Sequence, residues 1–229
     1  MMLTFIKKHK FLHPTQFLFL FCAILLILAC GCKHEIDYFD YVSELRNNIF
    51  LANTENLHIR IYSVVKEYPY ATDGIAHEKS ARTEVYLLAP DGTQNYTISL
   101  YVDDKEYGGE LSYDNVKGEY FLSFTLDCAH LREIVCNLSC GETQIQCTAT
   151  SVLQEETLTP RDILINVQHH SPNLFQEMSD KYGFCGEIHL RLLYEDAPYY
   201  YVGVINRKGE ITAFLVNATT GKVLAQRKP

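Results

Sequence analysis

Between residues 57 and 150 apolar and polar side chains alternate in short bursts separated by turn residues, a pattern that suits half-buried β-strands and little else. Leu57-His58-Ile59-Arg60-Ile61-Tyr62-Ser63-Val64 shows it first. Thr83 to Leu88 follows and runs into Pro90-Asp91-Gly92, where Pro presets φ and Gly accepts a positive φ, so the chain must turn. Tyr96 to Val102, Tyr120 to Leu126, Ile134 to Leu138 and Thr143 to Thr150 repeat the alternation. No stretch between these segments carries a helical period.

About seven strands spaced roughly 10–15 residues apart predict an immunoglobulin-like β-sandwich over residues 45–152. The chain has no Trp, so the buried Trp of antibody-like domains is missing and a generic sandwich is expected. Near Leu158 the pattern changes. Thr159 can cap a helix, Pro160 suits its first position and Asp162 favours its positive end. Apolar residues then recur at helical spacing from Ile163 to Met178, interrupted by Pro172, which predicts a kink or two consecutive helices ending near Asp180. Beyond Gly183, Gly186 to Tyr194, Tyr199 to Asn206, Glu210 to Val216 and Val223 to Gln226 read as a four-strand meander. Residues 156–229 are therefore expected to form an α+β module, and the whole chain to be mainly β with α+β character.

The first 29 residues have the physical parts of an export signal. Lys7, Lys8 and Lys10 precede an apolar run from Phe17 to Leu28, which ends at Ala29-Cys30-Gly31-Cys32. At 1.5 Å per residue, Phe17 to Cys30 would cover about 21 Å of a hydrocarbon layer about 30 Å thick, so cleavage is favoured over a permanent span. Ile27-Leu28-Ala29-Cys30 resembles the lipobox of bacterial lipoproteins at its first and third positions, although Leu28 stands where that family usually has a small residue. The resemblance implies lipid attachment at Cys30, with Cys32 as the alternative, and a mature protein held by a diacylglyceryl anchor on the extracytoplasmic face of a bacterial cell membrane. Residues 30–44 are then a tether, of which 33–44 reach about 40 Å at full extension.

A second resemblance lies at the other end. Val202 to Ile211, followed by Val216-Asn217-Ala218-Thr219-Thr220-Gly221-Lys222-Val223, is similar to the end of a PepSY-type domain, where a hairpin precedes a Val-Asp-Ala-x-Thr-Gly-x-Val turn. Asn217 stands where that family usually has Asp. The family is associated with extracytoplasmic proteins and with proposed inhibition of peptidases, so the resemblance implies a non-catalytic interaction module.

Charge narrows the partners. Without Lys7, Lys8 and Lys10 the chain keeps 17 basic residues against 28 acidic ones, a formal −11. Phosphate-neutralising affinity needs the opposite balance, so nucleic acid is not expected as a partner. An acidic surface also gains nothing from an anionic bilayer, which leaves attachment to the acyl anchor.

The candidate sites are few. Cys128, Cys136, Cys140, Cys147 and Cys185 are an odd number, so at least one thiol stays unpaired within the chain. If Gly141-Glu142 centres a hairpin, Cys136 and Cys147 face each other with Cα atoms about 4.5–5.5 Å apart, within disulfide range. Cys136 and Cys140, four apart on a strand and so about 13 Å from each other, cannot share one metal ion. His169 and His170, adjacent on a helix, point about 100° apart and do not chelate together. Asp103-Asp104-Lys105-Glu106 lacks EF-hand spacing and reads as a solvated turn.

No catalytic motif, metal site or cofactor site is expected. Tyr199, Tyr200 and Tyr201 must alternate faces, so at least one points away from the helix-covered core and could contact a ligand. The reading is a non-enzymatic, lipid-anchored surface module that binds a protein, peptide or glycan. A solute-binding transport lipoprotein and a cell-wall enzyme are the alternatives.

Overall fold

The computed structural model describes residues 36–54, 56–68, 77–90 and 92–229. The protein is mainly β, with two short helices, and β1 (Val42–Asn53) is the strand on which it is organised. Along one edge β1 pairs antiparallel with β2 (His58–Glu67). Along the other it changes neighbours. Its first half runs parallel to β12 (Gly186–Tyr194), with Val42 opposite Ile188 and Leu45 opposite Leu190. Its last residues pair antiparallel with β9 (Thr143–Ser151), Phe50 opposite Ser151.

A change of neighbour leaves backbone groups that no ladder satisfies, and the buried side chain of Asn48 stands at that point. Its amide donates to the carbonyls of Ala129 (3.0 Å) and Leu131 (3.2 Å), and its Oδ1 accepts from Ser151 Oγ (2.7 Å) and Ile49 N (2.8 Å). The register of β1 on β2 also slips between Arg46 and Asn48, which makes Asn47 a bulged residue.

Around β1 and β2 the chain builds two facing leaves. One continues β2 with β3 (Lys79–Leu88), β7 (Glu119–Phe124) and β6 (Ser112–Asp114). The other orders β5 (Lys105–Glu110), β4 (Tyr96–Val102), β8 (Glu133–Cys140) and β9. The sequence β6-β7-β3-β2 facing β5-β4-β8-β9 is the Greek-key order of an immunoglobulin-type sandwich, to which β1 adds a strand joining the leaves. Period-two alternation places Ile59, Ile61, Val85, Leu87 and Tyr120 from one leaf against Ile98, Leu100, Ile134, Cys136 and Leu138 from the other.

The C-terminal segment opens with α1 (Pro160–His170). Thr159 Oγ1 accepts from Asp162 N while Asp162 Oδ2 accepts from Thr159 N, a reciprocal capping box with Pro160 in the first turn. Ser171 ends α1 and α2 (Pro172–Glu177) starts at once, so Pro172 divides the helical stretch in two. The helix stops earlier than its periodicity suggests. Ser179–Asp180 and Gly183–Phe184 form a small ribbon, β10 and β11, where helix had been expected. A meander of β12, β13 (Pro198–Asn206), β14 (Ile211–Asn217) and β15 (Val223–Arg227) follows, all antiparallel. Ile163, Leu164, Val167 and Phe175 bury the helices, and His170 meets Phe214 of β14 edge-on at 6.3 Å.

Two features depart from the expected layout. The sandwich segment and the C-terminal module share one sheet through the β1–β12 pair, which joins residues far apart in sequence. Residues 37–44 belong to the fold rather than to a tether. A 3-10 turn, Tyr38–Tyr41, places the Tyr38 ring 4.9 Å from Phe175 and the Tyr41 ring 5.3 Å from Phe184, while Arg161 pairs with Asp37 at 2.7 Å and covers Phe39. Aromatic area taken from water outweighs the polar character that suggested a linker.

Candidate functional site

On β2 the odd-numbered Ile59, Ile61 and Ser63 enter the core, so Arg60, Tyr62, Val64 and Lys66 take the opposite face. Register carries that face across the sheet. Tyr62 lies opposite Glu84, Arg60 opposite Tyr86, and Tyr86 opposite Phe121 of β7. In the other direction Arg46 stands opposite Val64 on β2 and Arg191 on β12, and Arg191 opposite Tyr201 on β13. One continuous outer face thus spans β13, β12, β1, β2, β3 and β7.

Its rings and cations are interleaved. Tyr62 and Tyr86 lie 5.2 Å apart, and Tyr86 and Phe121 5.0 Å. The Arg46 guanidinium sits 4.1 Å over Tyr62, Arg60 5.8 Å over Tyr86, Arg82 4.5 Å over Tyr68 and Arg191 5.7 Å over Tyr201. Val64 is on this face yet only 1% exposed, with Arg46 and Arg82 flanking it in register on the neighbouring strands.

Carboxylates tie the cations down. Arg191 grips Glu44 with two nitrogens, Nε at 2.8 Å; Lys66 pairs with Glu84, and Arg60 with Glu119. Burial pushes the Glu44 carboxyl up, but the Arg191 hydrogen bonds and charge outweigh it and hold Glu44 below the ordinary carboxylate value. His189, beside Arg191 and 8% exposed, is held below its ordinary value of 6.5 by burial and by Arg191, with Glu44 opposing in part. Burial, followed by the neighbouring Glu84 charge, raises Tyr86, whose hydroxyl donates to Glu84 at 3.2 Å. These groups stay in one charge state at neutral pH: Glu44 ionised, Tyr86 and His189 neutral.

Of the three tyrosines singled out by sequence, two lie on the outer face and one does not. Tyr199 and Tyr201 are half-buried on the outer face, but Tyr200 is 1% exposed and packs under the helices. Its ring is not part of the sheet's exposed surface, because alternation sends the middle residue of a strand triplet to the opposite side. Cys136 and Cys147 stand directly opposite each other, and both are free thiols. Burial pushes Cys136 up to about 12. Cys30 and Cys32 lie outside the described residues. His169 and His170 fall in the last turn of α1, where a cation suits the helix dipole.

Asp103 and Asp104 form the two-residue turn between β4 and β5, both at positive φ, and among the described residues no group of three or more His, Cys, Asp or Glu side chains could hold a metal ion. Sequence reasoning missed Glu44, Arg46, Arg60, Tyr62, Glu84, Tyr86 and Arg191. The usable signal was the choice of polar partner in the alternation, since Tyr and Arg recur where a merely wet strand face would carry Ser, Thr or Lys.

Comparisons of the chain with protein-family models, with curated proteins and with solved structures found no match.

Proposed function

We propose that this chain is a lipid-anchored, extracytoplasmic binding protein without catalytic activity, and that it takes a protein or peptide partner on the outer face of its large sheet. The observation that carries the reading is the aromatic row Tyr62, Tyr86 and Phe121 interleaved with Arg46, Arg60, Lys66, Arg82 and Arg191. Tyr and Arg are the residues that dominate protein interfaces, since each offers a large, low-entropy contact area with a polar end. On this face cations outnumber Glu44, Glu84 and Glu119, whereas the mature chain is acidic overall. That local inversion favours an acidic or mixed-charge polypeptide over a basic one.

The PepSY-type reading of the C-terminal end draws support from its turn. Asn217 Oδ1 accepts from Thr219 N (3.1 Å), Thr220 N (2.7 Å) and Thr220 Oγ1 (3.0 Å), an acceptor-only task that the Asp of that family would perform equally. The anchor reading gains a tighter geometry. With the fold starting at Asp37, a lipid on Cys30 leaves six residues between them, at most about 20 Å of chain.

Photo-crosslinking amino acids placed at Arg60 and Tyr201 in the anchored protein on cells should yield adducts that the same probe at Leu224, on exposed β15, does not. Adducts of equal yield at Leu224, or none at either belt position, would remove the face as the contact surface. Fatty-acid labelling tests the anchor: Cys30→Ala should lose the label and Cys32→Ala keep it.

A further inference from the structure

Where β1 exchanges β12 for β9, the two halves of the sheet separate and leave a cleft of about 330 Å³. Its walls are the Ala129–Arg132 segment, the connection from Leu153 to Thr159 and the start of α1, with Tyr200 reaching it from below. Crevices at points where neighbouring elements diverge are common ligand sites, because no side chain from either half fills them.

The chemistry comes from two polar residues of its lining. Asn47 is the bulged residue of β1, turned out of both ladders into the cleft, and its Oδ1 is buried without a hydrogen-bond partner. Tyr200 is 1% exposed and lines the same cleft. A buried amide oxygen without a partner carries a desolvation penalty that folding has not offset. Bulges conserve neither pairing nor regularity, and their frequent use is to re-aim a side chain toward a site.

At the rim stand Arg132, which gives one guanidinium nitrogen to Leu153 O at 3.0 Å and keeps the others for solvent, the exposed His130, and Glu155. We propose that this cleft is a binding site for a small zwitterion of the amino-acid or dipeptide class. The carboxylate meets Arg132 and His130 at the rim. The ammonium or amide N–H of the ligand donates to Asn47 Oδ1, with Glu155 as counter-charge, and the Tyr200 hydroxyl donates to a ligand carbonyl. A dipeptide fits the volume, and its N–H satisfies the orphaned acceptor.

The test is calorimetric titration of the full chain in detergent with L-alanyl-L-alanine, with N-acetyl-alanine methylamide as an uncharged isostere and glucose as a polyol. The dipeptide should bind and the other two should not. Arg132→Gln, an exposed substitution, should weaken binding about tenfold, the scale of one hydrogen bond to a charged group. Tyr200→Phe should weaken it several-fold while leaving Tm unchanged, since it keeps the buried ring and deletes only the hydroxyl offered to the ligand. A purely structural tyrosine would instead lower Tm and spare the titration. Absence of dipeptide binding at 10 mM, equal binding of the uncharged isostere, preference for glucose, or unchanged affinity in both variants would each overturn the proposal.

Discussion

Asn48 makes four hydrogen bonds from a fully buried position, and two of them satisfy backbone carbonyls of the 129–131 segment. Removing the amide takes the side-chain donor from both partly buried carbonyls and the acceptor from Ser151 Oγ, so the loss exceeds that of one ordinary bond. Asn48→Ala should lower unfolding stability by about 3 kcal/mol in urea titration; a loss under about 1 kcal/mol would show that the fork of β1 does not depend on it. His189 gives a prediction in pH. Its folded value is depressed, so below the ordinary 6.5 the unfolded chain binds the proton that the folded chain refuses, and stability falls as pH falls. Glu44 is depressed as well and adds its own loss below its ordinary 4.5. Stability measured from pH 7.5 to 5 should therefore decline, and His189→Gln should flatten that decline while leaving the steeper loss below pH 4.5. An equal slope in the variant would assign the effect elsewhere.

At the scale of elements, what was legible in sequence followed from local rules. The period-two runs from Leu57 to Thr150 gave strands because alternation is a property of one segment, and Thr159-Pro160-Arg161-Asp162 gave a helix start for the same reason. Thr159→Ala should cost about 1 kcal/mol through loss of the cap, read as a shift in the urea midpoint at unchanged m-value. The β1–β12 pair was not legible. Val42 to Arg46 and Ile188 to Arg191 are parallel strands about 145 residues apart in sequence, and no turn chemistry announces a pairing of that separation. The outer face was hidden for a related reason, since Glu44, Tyr62, Glu84 and Arg191 come from four strands and meet only through register. The Asn217 turn was legible down to its glycine. Gly221 has φ +68, and a Cβ there would lie 2.1 Å from Asn166 Nδ2, so Gly221→Ala should destabilise the turn against α1.

At the scale of the whole molecule, the shared strand decides how the protein unfolds. Residues 45–152 and 156–229 read as two modules in sequence, and separate modules would melt separately. β1 contributes its second half to the sandwich and its first half to the sheet under the helices, with β2 paired along nearly its whole length. Loss of either half therefore exposes an edge of the other, together with Leu45, Leu190 and the Arg191–Glu44 grip. Leu190 is fully buried on β12 opposite Leu45, so Leu190→Ala should cost about 2–5 kcal/mol by cavity formation. The decisive readout is where that cost appears. Pulsed hydrogen exchange across a urea series follows the backbone of β8 around buried Cys136 in the sandwich and that of β13 around buried Val202 in the C-terminal segment. A single cooperative unit requires the two strands to lose protection at the same urea concentration in the wild type, and both midpoints to fall together in Leu190→Ala. If β13 opens first and β8 keeps its wild-type midpoint, the parallel pair is a contact between independent domains, and the boundary near residue 155 is thermodynamic as well as sequential.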